Sequence, residues 1–351
     1  MRKQLIAILV ACACVLVLAQ LLPWAAAMRG TSRSAVTQTA PPPPIAPGTA
    51  EDSVSTCRVG AYLSDVYDVL PASSAFSARV WVWSLCPTKD LDPLPLASFP
   101  NSDSPRISSS QVTMAAGLSY HIQLIEGTFR QSFDETNYPF DHQHLVMLMT
   151  APQDARHFLF TPDTVASSMA QGIDVSGWRI DDFKVTSYVQ DYTTNFGDPT
   201  LAPKAPSQYS RMRLDIGLVR ADPINFLKVV APLFLIFFVI SLTFAIGSTG
   251  AERFGARFAT LGATLFAVLV NMDRADITAP GRRLTMVDEL HILTLAWVMV
   301  AFALTAVLWR WTTAGKEAVR IERMNVVGGS VGSLAYMIVA VILIVRAAMV
   351  G

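Results

Sequence analysis

The chain has 351 residues, no formal net charge and a hydrophobic fraction of 52%. This composition predicts a protein with a membrane-embedded part and argues against a nucleic-acid-binding protein, which would carry an excess of basic residues. The four cysteines do not have the spacing of a metal site. No metal and no other cofactor are expected.

The first 27 residues predict a secretory signal peptide, with a basic start, an apolar middle and small residues at positions 25–27. An uncleaved anchor helix is the alternative. A lipoprotein-type motif ending at Cys12 is disfavoured, because only a short apolar run precedes it. Residues 28–56 are rich in Thr, Ser, Ala and Pro, and this composition predicts an extended linker.

A β-domain is predicted for residues 57–220, because short runs there alternate between apolar and polar residues. The apolar positions of the two clearest runs are Phe76, Ala78, Val80 and Val82, and Met212, Leu214, Ile216 and Leu218. Residues 118–125, 144–149 and 178–188 are further strand candidates. Since no convincing amphipathic helix interrupts these runs, they predict an antiparallel, immunoglobulin-like β-sandwich.

Two cysteines, Cys57 and Cys86, lie inside this predicted domain. If the domain is exported, its oxidising surroundings would permit a disulfide between them. The sequence does not show whether they pair, so the disulfide is left open.

Four apolar segments of membrane-spanning length follow, and they lie at residues 224–246, 257–277, 287–309 and 326–350. A set of buried core helices is the alternative, but several such segments in succession favour membrane spans. The predicted fold class is therefore an α+β membrane protein, in which an N-terminal β-sandwich precedes a four-helix transmembrane domain in residues 221–351.

The distribution of basic residues predicts the orientation in the membrane. With the β-domain exported, residues 310–323 lie in the cytoplasm, and their Arg and Lys residues agree with the positive-inside tendency. The loop at residues 274–283 then lies outside, although it is also basic and runs against that tendency. The expected location is therefore a membrane, with the β-domain on its outer side.

A compact Tyr138-Pro139-Phe140-Asp141 sequence lies near the centre of residues 131–145. Pro139 fixes its own φ and biases Tyr138 toward an extended conformation. Phe140 adds an apolar anchor beside the charge of Asp141. Alone, this sequence is typical of a β-turn between two strands, but the apolar spans that follow favour a loop that presses on another part of the protein.

Together with the spans, this loop resembles the signature loop of the pentameric ligand-gated ion channels, the Cys-loop receptor superfamily. In animal members a cysteine closes each end of the loop, whereas Gln131 and Leu145 stand at those ends here. The chain therefore resembles the prokaryotic members, which lack this disulfide. The resemblance implies a multi-pass protein of a bacterial inner membrane, with the β-domain in the periplasm or outside. The resemblance extends from Val59 to the C-terminus.

The resemblance implies a homopentamer in which the second span lines the pore. Positions at spacings of four and three form one stripe along this span: Ala259, Ala263, Phe266, Val270 and Asp273. Arg257 and Pro280 stand where the family has a basic residue at the inner end and a proline beyond the outer end. Phe266 and Val270 would form apolar constrictions, and Asp273 an acidic ring. Ordinary helix packing is the alternative, and selectivity for cations or anions does not follow.

The resemblance also implies residues that couple the β-domain to the membrane domain. Asp141 and Arg220 match an ion pair that the family has beneath its β-sandwich. The loop residues Tyr138, Pro139 and Phe140 would transmit ligand binding to the membrane domain, where Pro280 lies in the receiving loop. Two unrelated surface charges are the alternative for the ion pair.

In the family, aromatic residues from several loops wall a ligand site between neighbouring subunits. The residues that fall near three of these loops are Phe99, Asn101, Phe160, Tyr192 and Phe196. Core or surface positions are the alternative for each of them. Residues 84–99 are shorter than in relatives and lack an extra strand, which would remove part of the complementary wall of a conventional site.

Histidines raise two further interpretations. His291 stands beside Asp288 and Glu289 at the outer end of the third span and is a candidate pH sensor, with a helix-end histidine held by its neighbours as the alternative. His142 and His144 share a strand face and permit a metal site. Solvent-facing strand histidines are favoured, so no metal is predicted.

The sequence thus predicts a subunit of a homopentameric ligand-gated ion channel, with membrane lipid, permeant inorganic ions and a small-molecule or proton agonist as its partners. A non-conducting receptor or assembly partner with the same fold is the alternative, favoured by the apolar pore stripe. An enzyme is not expected, because the sequence shows no nucleophile–base pairing, phosphate-binding loop or convincing metal cluster. No nucleic-acid partner is expected.

Overall fold

The computed structural model describes residues 54–103, 105–199, 202, 205–221, 223–246, 251–278 and 284–350. The predicted signal peptide, the linker up to residue 53 and Pro280 lie outside the described residues. The chain divides into two compact units, a β-domain and a helical unit. The segment Asp134–Asp141, which carries the Tyr-Pro-Phe-Asp sequence, belongs to the helical unit.

The β-domain is built from strands that form two sheets. The strand bounds are β1 (Ser55–Leu70), β2 (Ala75–Cys86), β3 (Arg106–Ala115), β4 (Leu118–Arg130), β5 (His142–Asp154), β6 (Phe158–Pro162), β7 (Ser168–Met169), β8 (Trp178–Tyr192) and β9 (Ser207–Arg220). The larger sheet has the order β3-β4-β2-β1-β6, with β7 paired to β1, and the smaller sheet has the order β5-β9-β8. Strand pairs are antiparallel, except that β6 and β7 run parallel to β1. The strand-rich N-terminal part of the predicted fold class is confirmed.

An apolar core lies between the two sheets. The residues of β2 and β9 that were predicted to face inward are all buried: Phe76, Ala78, Val80, Val82, Met212, Leu214, Ile216 and Leu218. Within this core the rings of Phe76 and Phe129, which are directly opposed on the paired strands β2 and β4, stack with their centroids 5.5 Å apart. The period of two in the sequence therefore reflects one face of each sheet packing against the other.

A disulfide joins Cys57 in β1 to Cys86 at the end of β2. Their Cα atoms are 4.6 Å apart, a spacing typical of directly opposed residues in a non-hydrogen-bonded antiparallel pair. Both residues are buried in the core. Strand register thus brings together the two cysteines whose pairing the sequence left open.

Among the described residues, four helices are long and apolar enough to cross a membrane. They are α1 (Pro223–Ala245), α2 (Ala251–Thr278), α3 (Met286–Thr313) and α4 (Ala318–Val350). They confirm the predicted multi-pass membrane character. α2 begins at Ala251 rather than at residue 257, and α4 at Ala318 rather than at 326. The charged residues at these helix starts favour a helix without extending the apolar run.

α3 begins with a capping box. The hydroxyl of Thr285 accepts a hydrogen bond from the backbone nitrogen of Asp288 at 3.2 Å. The Asp288 carboxylate accepts in turn from the backbone nitrogen of Thr285 at 2.8 Å. Two orphan N–H groups are satisfied, and the negative charge lies at the positive end of the helix dipole.

Small residues of α4 let it approach the other helices of the same chain. A Cβ on Gly332 would come within 2.1 Å of the Trp297 ring in α3. A Cβ on Gly328 would come within 2.7 Å of Leu304, which also lies in α3. These glycines therefore serve close helix packing inside the helical unit.

Candidate pore helix, coupling loop and ligand site

α2 has two faces of different character. One face is buried against other helices of the chain and carries Leu261, Val268 and Asn271. The opposite face is exposed in the single chain and carries all the residues of the predicted stripe: Ala259, Ala263, Phe266, Val270 and Asp273. Phe266 is 70% exposed and Val270 is 40% exposed. A bulky ring therefore stands at the centre of the face that the chain leaves open.

Arg257 does not share this face. It is 6% exposed, its Nη2 donates to the carbonyl of Ile246 at 3.2 Å, and its guanidinium carbon lies 5.2 Å from the centre of the Phe244 ring. Two residues along an α-helix rotate a side chain by about 200°, so Arg257 and Ala259 lie on opposite sides of α2. The expectation that Arg257 lines the inner end of the stripe is not met within the chain.

The exposed face of α2 differs from an ordinary lipid-facing surface. On α4 the exposed residues include Val331, Leu334 and Ile338, which are large and apolar, as contact with lipid favours. The exposed face of α2 also carries the large apolar residues Phe266 and Val270, but it combines them with alanines and with Asp273. Small residues suit close approach of another helix, and an ionisable side chain in a membrane span is costly unless it meets water or a partner. The face is therefore suited to neighbouring protein and water.

The loop Asp134–Asp141 packs within the helical unit. Tyr138 is 4% exposed and belongs to the apolar cluster of the helices. The Phe140 ring lies 5.4 Å from the Phe226 ring at the start of α1. The carbonyl of Thr136 accepts from the backbone nitrogen of Met286, the first residue of α3, at 2.9 Å. The loop thus contacts the beginnings of two helices.

Two tight turns give this loop its shape. The backbone nitrogen of Tyr138 donates to the carbonyl of Glu135 at 2.9 Å, and that of Phe140 donates to the carbonyl of Asn137 at 2.8 Å. The side chain of Asp134 accepts from the backbone nitrogen of Thr136 at 3.1 Å. These bonds pair backbone polar groups within the loop. They fix the loop in a shape in which the rings of Tyr138 and Phe140 contact the helices.

The predicted partners Asp141 and Arg220 fall in different units, and their pairing stays a prediction. Asp141 is 2% exposed. Arg220 lies opposite Trp178 of β8 in the strand register. Its guanidinium carbon is 4.2 Å from the centre of the Trp178 ring, close enough for a cation–π contact that holds the guanidinium near the sheet.

An aromatic cluster forms where β8 ends and β9 begins. Tyr192 and Phe196, both predicted ligand-site residues, meet edge-on with centroids 5.0 Å apart. Tyr209 completes the cluster, at 5.8 Å from the Tyr192 ring and 6.0 Å from the Phe196 ring. Phe196 is 60% exposed, so the cluster is open on one side.

Arg211 holds Tyr192 of this cluster in place by hydrogen bonding. It is buried and donates to Thr150 at 3.0 Å, to Gln190 at 3.2 Å and to the hydroxyl of Tyr192. Neither Tyr209 nor Arg211 was predicted from the sequence as a site residue. They occupy the positions of β9 that alternate with its inward-facing residues, and that alternation was the available signal.

The other predicted ligand-site residues have structural contacts instead. Phe160 is 2% exposed and meets Phe158 edge-on inside the core. Phe99 is half-buried against the same core. The Asn101 amide donates to the carbonyl of Val146 at 2.7 Å, and its oxygen accepts from the backbone nitrogen of Leu148 at 3.0 Å. Phe160 thus has the core role that the sequence left as the alternative, and Asn101 tethers its loop to β5.

His291 lies fully buried between helices. Its Nδ1 is 2.8 Å from the carbonyl of Val287, and because a carbonyl only accepts, Nδ1 carries the proton. Its Nε2 then accepts from Asn271 Nδ2 at 2.9 Å, which also donates to the carbonyl of Val229 at 2.9 Å. A neutral imidazole satisfies every one of these bonds, and a single amide joins α1, α2 and α3.

Of the two strand histidines, His144 has an ordinary polar partner, whereas Nδ1 of His142 is buried without a hydrogen-bond partner among the described residues. His144 Nδ1 lies 2.9 Å from Asp215 Oδ1, and this hydrogen bond raises the pKa of His144. Burial acts to raise the pKa of Asp215, but the hydrogen bonds from His144 and Arg213 outweigh it and hold that pKa below its usual range. No group of three or more metal-ligating side chains occurs among the described residues.

No protein-family model matches the chain, and no curated protein matches it. The described residues form a strand-rich domain followed by four apolar helices, which is compatible with the fold of a pentameric channel. A function must therefore be argued from the placement of particular residues, above all those on the open face of α2.

Proposed function

We propose that the chain is one subunit of a homopentameric ligand-gated ion channel in a bacterial inner membrane, with its β-domain outside. The observation that carries this proposal is the open face of α2. It holds small residues, Phe266, Val270 and Asp273, while the opposite face of the same helix is buried in the chain. Such a face is costly against lipid and favourable around a water-filled axis.

In this proposal five copies of α2 surround the axis. Phe266 and Val270 then form apolar rings that close the pore by excluding water, and movement of the helices widens them. Asp273 forms a ring of carboxylates nearer the outer mouth and sets the local potential that a permeant ion meets. Arg274 follows it and is also exposed, so the net preference for cations or anions depends on which side chain faces the axis.

Ligand binding acts on the helices through the loop Asp134–Asp141. Its contacts with Phe226 at the start of α1 and with Met286 at the start of α3 support this role. A ligand that binds one arrangement of the β-domain more tightly shifts the population of the pore toward the matching state. The free energy of this coupling cannot exceed the difference between the ligand's binding free energies for the two states.

The ligand site in this proposal includes the aromatic cluster of Tyr192, Phe196 and Tyr209. Exposed aromatic faces attract small cations, and an amine over such a face gains about 0.5–2 kcal/mol. Phe196 supplies the open ring, while Arg211 holds Tyr192 in place. A small amine is therefore the ligand class to test first.

The test is current through the purified protein in liposomes, recorded while external pH and a panel of small amines and amino acids are varied. A current that Phe266→Ala enlarges, with Leu334→Ala on the exposed face of α4 as the matched control, supports the pore. Asp273→Lys should shift the reversal potential toward anions. An unchanged reversal potential would remove Asp273 from the conduction path.

The alternative is a non-conducting receptor or assembly partner with the same fold. It is favoured by the region between β2 and β3, whose described residues form only short 3-10 helices and isolated bridges. Protein shown to be pentameric that stays silent across the panel, even as the double variant Phe266→Ala/Val270→Ala, would support this alternative, because that variant removes both apolar rings that could close the pore.

A further inference from the structure

A row of polar side chains lies on the inner face of β4, where apolar residues are expected. Ser119, His121 and Gln123 are 1%, 3% and 1% exposed, and they are in phase with the core residues Ile125 and Phe129 of the same strand. Buried polar groups of this kind are nearly always hydrogen-bonded. The bonds of His121 therefore indicate what the row does.

His121 connects a carboxylate to a serine hydroxyl. Its Nδ1 lies 2.5 Å from Asp92 Oδ2, and its Nε2 lies 2.8 Å from Ser110 Oγ. A carboxylate only accepts, so Nδ1 of the neutral imidazole carries the proton and Nε2 accepts the proton of the Ser110 hydroxyl. A nucleophile, its base and the group that orients the base are thus hydrogen-bonded in series.

Asp92 is itself held in place. Its second oxygen, Oδ1, accepts from Ser84 Oγ at 2.7 Å and from the backbone nitrogen of Leu94 at 3.2 Å. Its side chain is 6% exposed, so the carboxylate is shielded from competing water. The charge is therefore fixed on the side of the imidazole away from Ser110, where it stabilises a positive charge on the ring.

Ser110 is open to solvent, unlike the two groups behind it. It lies on β3, the edge strand of the larger sheet, whose residues are all exposed. Gln123 stands directly opposite Ser110 in the register, which puts their Cβ atoms about 4.5–5.5 Å apart on one face of the sheet. The Nε2 of Gln123 is buried and has no hydrogen-bond partner among the described residues.

We propose that Ser110, His121 and Asp92 form a nucleophilic serine site for acyl transfer, with small carboxylic esters as its substrate class. Ser110 Oγ bonds to the ester carbonyl carbon while its proton passes to His121 Nε2. The leaving alkoxide takes that proton and departs as an alcohol. Gln123 Nε2, which is short of an acceptor, donates to the oxyanion that forms.

Water completes the reaction. It attacks the acyl carbon of the ester on Ser110 and gives a proton to His121 Nε2. The bond between that carbon and Ser110 Oγ then breaks, the proton returns to the serine, and a carboxylic acid leaves. Ester and water become acid and alcohol, and no oxidant, metal or cofactor is consumed.

His121 was not predicted from the sequence as a site residue, because Asp92, Ser110 and His121 lie on separate segments of the chain. Strand pairing brings Ser110 and His121 to one face, and the segment after β2 adds Asp92. The available signal was the polar alternation of Ser119, His121 and Gln123 in phase with core residues.

The test uses a fluorophosphonate probe on the full-length protein in detergent. Such a probe forms an oxygen–phosphorus bond with an activated serine as fluoride leaves. Peptide mass spectrometry of the wild type then locates the adduct within Ser108, Ser109 and Ser110, and needs no variant to fold. Ser109, which lies opposite Leu124 and so on the other face of the sheet, is the matched control.

We expect an adduct on Ser110 alone, loss of labelling in Ser110→Ala and normal labelling in Ser109→Ala. His121→Gln should slow labelling by about 10²–10⁴-fold, since it removes the general base, and thermal unfolding would check that this variant is folded. Release of p-nitrophenolate from p-nitrophenyl acetate should stop once Ser110 is labelled. This test requires no ion current, so its outcome is separate from that of the channel proposal.

Three results would overturn the proposal. The first is an unlabelled Ser110 in the wild type, and the second is equal labelling of Ser109 and Ser110, which would indicate ordinary surface serines. The third is an unchanged labelling rate in folded His121→Gln, which would leave His121 as part of a structural hydrogen-bond network.

Discussion

Breaking the disulfide between Cys57 and Cys86 should destabilise the β-domain by an amount that depends on the number of residues between the two cysteines. The two cysteines are 29 residues apart, and the loop-closure entropy of a cross-link over that length corresponds to about 3.5 kcal/mol at 25 °C. For a domain of this size, about 1 kcal/mol shifts the melting temperature by 2–4 °C. Reduction should therefore lower the melting temperature of the β-domain by about 7–14 °C.

The assay is thermal unfolding of the purified protein followed by tryptophan fluorescence, with and without a reducing agent. The double variant Cys57→Ala/Cys86→Ala is the control, because a reducing agent should no longer change its melting temperature. A shift of less than about 2 °C in the wild type would refute the reasoning, since it corresponds to no more than about 1 kcal/mol. Reduction should also slow probe labelling of Ser110, because Asp92 follows Cys86 closely in the sequence.

Other predictions concern single side chains. Tyr138→Ala should lower the stability of the helical unit by about 3 kcal/mol, because it empties a buried aromatic site, and an unchanged melting temperature would contradict the burial of the ring. Phe160→Ala should cost the β-domain about 3–5 kcal/mol, whereas Tyr192→Ala should change its unfolding little; equal effects would contradict the assignment of Phe160 to the core. The bond to Asp215 raises the folded-state pKa of His144, so it stabilises the protein at about pH 6 and is lost at about pH 8. Wild type should therefore lose more unfolding free energy than His144→Gln over that range, by under about 1 kcal/mol because the histidine is partly exposed, and equal losses would refute the role of this bond.

Local patterns in the sequence predicted much of the fold for a physical reason. Inward-facing residues of β2 and β9 alternate because one side of each sheet is packed and the other is not. Apolar runs identified the spans because a bilayer requires a minimum length of apolar helix. The same criterion missed the polar starts of α2 and α4, since a helix continues wherever its backbone bonds are satisfied, whatever its hydropathy.

Site residues were harder to predict, because strand register and helix phase decide which side chains meet. Tyr209 joins Tyr192 only through the pairing of β8 with β9. Arg257 was placed with the stripe because the resembled family has a basic residue there, yet helix phase turns it inward. His121 was missed because its partners come from other segments of the chain. Stripe residues such as Phe266 were located correctly on one face, since that argument used helix phase from the start.

The motif loop reaches α1 and α3 directly, but the proposed pore residues are on α2. A movement of the loop therefore needs a further contact to change the pore. The described residues contain such a contact in the hydrogen bond between His291 on α3 and Asn271 on α2. Because Asn271 also donates to the carbonyl of Val229 on α1, a displacement of α3 relative to α1 must strain one of its two bonds or carry α2 along.

In the proposed channel, Asn271→Leu should therefore weaken the coupling between ligand binding and pore opening. It keeps the volume of the side chain but leaves the buried His291 Nε2 without a donor, at about 1–3 kcal/mol, and it removes the bond from Asn271 to the carbonyl of Val229. Thr264→Val is the matched control on the same buried face, because the hydroxyl of Thr264 donates to Leu261 within α2, at 2.8 Å. The ligand concentration for half-maximal current should change by about tenfold or more in Asn271→Leu, since about 1.4 kcal/mol corresponds to a factor of ten, and little in Thr264→Val. Similar shifts in both variants would mean that general packing of α2, rather than the bond to His291, carries the signal from the loop to the pore.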